Sequence, residues 1–177
     1  KKPDTQSSGF SICTPKRFFN VGNPTHECDE SAMNIQTFAS GKQVYRAAAL
    51  AIARKILAKP NLVLGLSAGK TPSLLYENLI ALYRGKQISF AQVQTFNLDE
   101  FYGIEKSSPS SFDYYMQNTF LKLVDIPPQN IHSLNGAATN PQKECADYEE
   151  KIQAVGGIDL QILGLGSNAH IAFNEPG

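Results

Sequence analysis

Apolar positions along the chain change period repeatedly, and the changes mark short strands alternating with helices. Asn34–Phe38 reads as a short strand. Ser40 then stands as an N-cap ahead of Val44, Ala47, Ala48, Ala51 and Ile52, which recur at helical spacing. Pro60-Asn61 breaks the chain, and Leu62–Leu66 is a fully apolar strand. Thr71-Pro72 opens a second helix, with proline at its start, Leu74, Leu75, Leu79 and Leu82 inward, and Gly85 at its end. Val93–Leu98 is a third strand, Ser110–Leu123 a third helix and Ile131–Leu134 a short strand. Pro141–Ala154 is a fourth helix, closed by Gly156-Gly157 and followed by the apolar strand Ile158–Leu163. Strands separated by helices predict βαβ units, hence an α/β fold: a three-layer sandwich around a mostly parallel, Rossmann-like sheet. Residues 1–32 mix Pro, Ser, Thr, Asn and Gly without a sustained period and are expected to be an irregular tail or leader. Residues 33–177 are expected to form the α/β domain.

Composition narrows the function classes. The 177 residues suit one domain, and 16 basic against 16 acidic side chains leave no electrostatic footprint for nucleic acid or an anionic membrane. No apolar run approaches the roughly 20 residues that span a bilayer. The three cysteines, Cys13, Cys28 and Cys145, form no CxxC pair, which disfavours a disulfide framework or zinc site and fits a reducing, cytoplasmic compartment.

In a parallel sheet the loops after the strands share one rim, and three of them carry chemistry. Ser67-Ala68-Gly69-Lys70-Thr71-Pro72 is a glycine-containing turn feeding a helix N-terminus, where free N–H groups and the helix dipole favour an anion. It is not a P-loop: only three residues separate Gly65 from Gly69, and that motif needs four. Asp99-Glu100 sets two carboxylates just past a strand. Their repulsion and partial burial would raise one pKa, as a general base for a carbon acid requires; a solvated acidic loop or a helix cap is the alternative. The third is Gly164-Leu165-Gly166-Ser167-Asn168-Ala169-His170, with Glu175 five residues on. Its glycines fit the alanine form of the dinucleotide fingerprint, but that fingerprint belongs at the first strand and opens a helix. A histidine oriented by a glutamate, acting as acid and base, fits the segment better.

Together these loops resemble the glucosamine-6-phosphate deaminase (isomerase) family, from about Met33 to Gly177. The resemblance rests on Leu64-Gly65-Leu66 with Gly69 and Thr71-Pro72, on Thr95-Phe96-Asn97-Leu98-Asp99-Glu100-Phe101, on Ile126-Pro127, Leu134-Asn135-Gly136 and Tyr148-Glu149, and on His170-Ile171-Ala172-Phe173-Asn174-Glu175-Pro176. The related 6-phosphogluconolactonases are similar in fold but usually read Asp-Glu-Arg in the acidic loop and His-Thr-Ala-Ser-Leu-Phe-Pro-Gly in the tail. The resemblance implies conversion of glucosamine 6-phosphate and water to fructose 6-phosphate and ammonia, in amino-sugar catabolism. It implies Asp99 as the base at C2, His170 as the group moving the ring-opening proton, and Glu175 as its orienter. Asn168 occupies the position of a ring-opening aspartate. Ser67, Ala68, Gly69, Lys70, Thr71 and Glu100 are the expected substrate-binding residues. No metal or organic cofactor is implied, and relatives are commonly homo-oligomers. A divergent sugar-phosphate isomerase, a lactonase-like hydrolase and a non-catalytic sugar-phosphate binder are the alternatives.

Two departures stand out. The family usually reads Asp-Gly-His where this chain has Asn168-Ala169-His170; the amide cannot carry the charge that favours imidazolium, and the methyl of Ala169 crowds a turn that glycine enters freely. Family members also run on beyond the final block, so the C-terminal part of the family fold is expected to be missing here.

Overall fold

The computed structural model describes residues 12–13 and 35–175; residues 1–11, 14–34 and 176–177 lie outside them, as do the side chains of Ile12, Cys13 and Lys70. In chain order the elements are β1 (Ile12–Cys13), α1 (Gly41–Ala58), β2 (Val63–Leu66), α2 (Lys70–Arg84), β3 (Gln94–Asn97), β4 (Glu100–Phe101), α3 (Phe112–Thr119), β5 (Ile131–His132), α4 (Pro141–Ala154) and β6 (Leu160–Gln161). Four strands form a parallel sheet in the order β5-β3-β2-β6, while β1 pairs antiparallel with β4.

Alternation along the strands divides the core into two layers. Leu62, Leu64 and Leu66 enter a cluster with Ile52 and Ile56 of α1, Leu75, Tyr76 and Leu79 of α2, and Met116 and Phe120. Val63, Phe96 and Leu98 face the other way, onto Tyr148 and Ile152 of α4. The result is helix, sheet, helix. The Tyr148 hydroxyl locks α4 to the sheet by donating to the carbonyls of Asn97 at 2.8 Å and His132 at 3.1 Å.

Local chemistry sets the helix ends. The Ser40, Ser111 and Asn140 side chains accept from backbone N–H groups three residues on, capping α1, α3 and α4. α4 follows the sequence reading to the residue. α3 is shorter than the expected 110–123, because the backbone leaves helical geometry at Phe120 and resumes as a 3-10 turn over Leu121–Leu123. The strand expected at 34–38 is absent among the described residues: residues 35–38 are irregular, and with Ile35 74% exposed no sheet neighbour is there to hold it. The strand expected at 158–163 is laddered only at Leu160–Gln161, opposite Leu64 and Gly65. The inward faces also turn: Val44 and Ala51 of α1 and Leu74 of α2 are exposed, while Ala49, Ala53, Tyr76 and Ile80 are buried. Cys145 on α4 is disulfide-bonded, against the expectation drawn from the missing CxxC pair that the cysteines stay reduced. An odd count rules out full pairing of three cysteines but not a single bridge.

From β2 the chain moves outward to β3 and β5, then returns to place β6 on the other side of β2. The strand order therefore reverses at β2, and a crevice opens beyond the carboxyl ends there.

Candidate active site

That crevice is a cleft of about 510 Å³ lined by loops from three strand ends. Ser67, Ala68, Gly69, Thr71 and Pro72 come from the turn after β2, Leu98 and Asp99 from the end of β3, and Gly164, Gly166, His170, Phe173 and Glu175 from the segment after β6. Thus Asp99, His170 and Glu175, 76 positions apart at the extremes, open onto one hollow with the glycine turn.

Asp99 is 7% exposed, and none of the described residues hydrogen-bonds its carboxylate. Burial raises its pKa, the Glu100 charge raises it further, and together they lift it from 3.8 to about 7. The carboxylate is thus divided between acid and base near neutral pH, as a group that must both take and return a proton requires.

Its neighbour Glu100 has a different role from the one its sequence position suggested. Glu100 does not line the cleft. One carboxylate oxygen accepts from the Phe101 and Phe112 N–H groups at 2.9 Å each, and the other from the Ser111 hydroxyl at 2.7 Å and the Asp113 N–H at 2.9 Å. The charge sits on the N-terminus of α3, where free N–H groups and the dipole favour it. This corrects the expectation of substrate contact: Glu100 builds the frame and biases Asp99 through its field.

The histidine is held through an intermediary. His170 Nδ1 lies 2.6 Å from Asn168 Oδ1, and Asn168 Nδ2 donates to Glu175 Oε2 at 2.7 Å. Glu175 therefore orients Asn168, and Asn168 orients His170. The chain of bonds fixes both assignments. An amide that gives its N–H₂ to a carboxylate turns its oxygen to the ring, and that oxygen accepts from a proton on Nδ1; when the ring is neutral its lone pair is then on Nε2. Gly166 leaves the space this ring occupies, since a Cβ there would meet His170 Cε1 and Nδ1 and push the ring from its seat. Ala169 takes φ +67°, so the methyl does occupy a left-handed position where the family usually has glycine.

Gly69 caps α2 with φ +124° and provides no side-chain cap for the N–H groups of Lys70 and Thr71 at the helix start. Ser67 is 6% exposed, and its hydroxyl has no hydrogen-bond partner among the described residues. Sequence reasoning missed Phe112 and Phe173, which form the apolar wall. Their rings lie 5.8 Å apart, and Phe101 packs on both. Aromatics at ordinary spacing carry no such signal. Among the described residues no cluster of His, Cys, Asp and Glu could hold a metal ion, and no helix is long and apolar enough to cross a membrane.

Fold and cleft together define a parallel α/β protein with acid–base groups and an open helix N-terminus at its switch point. The chain belongs to the glucosamine-6-phosphate isomerase/6-phosphogluconolactonase family, which residues 38–173 match. It is 46% identical over 144 residues to a glucosamine-6-phosphate deaminase of Clostridium acetobutylicum, covering 81% of this chain and 60% of that one. It is 47% identical over 135 residues to one of Halothermothrix orenii, covering 76% and 56%. Among solved structures, a monomeric glucosamine-6-phosphate deaminase superposes with a TM-score of 0.79 at 37% identity, covering 82% of this chain and 60% of that one. A 6-phosphogluconolactonase of Thermotoga maritima shares the fold, with a TM-score of 0.65 at 22% identity, over 79% and 62%. The chain spans about 60% of the length of the curated relatives it matches.

Proposed function

We propose that the intact protein is a glucosamine-6-phosphate deaminase. The observation that carries this reading is the convergence of Asp99, the Glu175–Asn168–His170 relay and the 67–71 turn on one cleft. The phosphate sits on the open N-terminus of α2, with the Ser67 and Thr71 hydroxyls at hand. His170 takes the proton of the anomeric hydroxyl at Nε2 and returns it to the ring oxygen, which opens the pyranose. Asn168 and Glu175 hold the ring in the tautomer that permits this. Asp99 then removes the C2 proton of the open aldehyde and delivers it to C1, while a proton passes from the amine to O1, converting the amino aldose to a ketose imine. Water adds to C2 of the imine and ammonia leaves, so substrate and water balance fructose 6-phosphate and ammonia. The wall of Phe112 and Phe173 keeps bulk water off Asp99, which sustains the basicity this step needs.

The deaminase identities of 46% and 47% favour this over lactone hydrolysis. A homo-oligomeric assembly and a cytoplasmic location belong to the same proposal, the latter without support from the cysteines now that Cys145 is disulfide-bonded. The test is stoichiometric release of ammonia and fructose 6-phosphate from glucosamine 6-phosphate by the intact protein. Turnover of another hexose phosphate, with glucosamine 6-phosphate inert, would select the divergent-isomerase reading instead.

A further inference from the structure

We propose that Tyr76 and Tyr115 are positioning residues that turn the backbone of the 67–71 loop toward a bound phosphate; this rests on the proposed use of that loop. A trans peptide points its C=O and N–H in opposite directions. A loop that grips an anion with N–H groups must therefore send its carbonyls away from the ligand, because a carbonyl lone pair facing a phosphate oxygen repels it. Two carbonyls of this loop are tied back in that way. The Tyr76 hydroxyl of α2 donates to Ser67 O at 2.7 Å, and the Tyr115 hydroxyl of α3 donates to Gly69 O at 2.8 Å. Neither tyrosine lines the cleft. With Ser67 O and Gly69 O held on the protein side, the N–H groups that follow them, of Ala68 and Lys70, point the other way.

Three further observations agree. A Cβ on Gly69 would meet nothing within 4 Å, so glycine is there for its φ of +124° and not for space; the torsion is what aims the peptide. The Ser67 hydroxyl beside this peptide is buried next to the Tyr76 hydroxyl, so the tyrosine braces both the carbonyl and the side chain of Ser67. Burial pushes both tyrosine hydroxyls above their ordinary range, so both are protonated donors at neutral pH. Tyr76 is fully buried and its ring stacks on Phe120 at 4.9 Å, which makes it a rigid post. Tyr115 is only partly buried, so its hydroxyl can be removed with less risk to the core.

The experiment uses the intact protein and inorganic phosphate as the probe, with dissociation constants from calorimetry and kinetics on glucosamine 6-phosphate alongside. Tyr115→Phe is expected to weaken phosphate roughly tenfold, the scale of one lost hydrogen bond of ordinary worth. KM should rise by a similar factor and kcat should stay within about twofold. Tyr76→Phe should act in the same direction, and the double variant more strongly than either. Tyr83→Phe, which removes a hydroxyl elsewhere on α2, should leave phosphate affinity unchanged. A merely structural role would lower the melting temperature of Tyr115→Phe without moving the phosphate constant, and that result overturns the proposal, as does a wild-type protein that binds no phosphate. A tyrosine-dependent phosphate affinity in a protein that releases no ammonia sustains this inference and removes the deaminase reading.

Discussion

Replacing Asp99 by asparagine should make the protein inactive and, at neutral pH and above, more stable. The unfolded carboxyl titrates at its ordinary 3.8, and the folded one at about 7 because burial and Glu100 oppose its charge. The folded state therefore holds the proton more tightly. The stabilising contribution of the protonated acid is fully present below pH 3.8 and is lost as the pH rises through 7. The interval spans about three decades, each worth about 1.4 kcal/mol, so the penalty for an ionised Asp99 is bounded at about 4 kcal/mol. The asparagine side chain has nearly the same shape and no charge. Asp99→Asn should gain little over the wild type near pH 4.5 and progressively more toward pH 8.5, up to that bound. Denaturant unfolding at a series of pH values reads the difference directly, and ammonia release read alongside should fall by at least 10²-fold. A stability difference that is flat with pH, or an Asp99→Asn protein no more stable at pH 8.5 than the wild type, refutes the reasoning.

Other perturbations separate the frame from the chemistry. Glu100→Ala removes the acceptor for three N–H groups and a hydroxyl at the start of α3 and should cost about 2–4 kcal/mol in denaturant unfolding, several times a surface substitution. Asn168→Ala cuts the link between Glu175 and His170; since Asn168 is exposed, it should leave stability within about 0.5 kcal/mol and reduce kcat by about tenfold or more. Gly166→Ala should displace the imidazole from its seat, seen as a shift of the His170 ring resonances with a loss of activity of about 10²-fold.

Much of this arrangement is legible in the amino-acid order, for reasons that can be named. α4 reads to the residue because Asn140, Pro141 and the Gly156-Gly157 pair give a cap, a first-turn proline and a stop. β2 reads almost as well because both of its faces are buried and it is apolar throughout. What fails is what depends on distant partners. Ile35–Phe38 has a strand-like composition but no neighbour to pair with, and the β6 ladder stops at Gln161 opposite Gly65, with the Ile162 N–H still donating to the Gly65 carbonyl. Asp99 and Glu100 are equivalent in a sequence, yet one opens onto a cleft and the other is consumed by a helix start 11 to 13 positions later. The reach of Tyr115 to a carbonyl 46 residues away has no local signature at all. The Ser111 cap signal was readable, and a carboxylate just upstream of a capped helix is the cue that could have assigned Glu100 to the frame.

The most direct test of the account is a crystal structure of the intact protein with the open-chain amino alcohol formed by reducing glucosamine 6-phosphate. The account predicts the phosphate on the 67–71 turn, C1 and C2 within about 3.5 Å of the Asp99 carboxylate, and the C5 hydroxyl facing His170 Nε2. A ligand bound outside the cleft, or one whose C2 lies on the far side from Asp99, contradicts it.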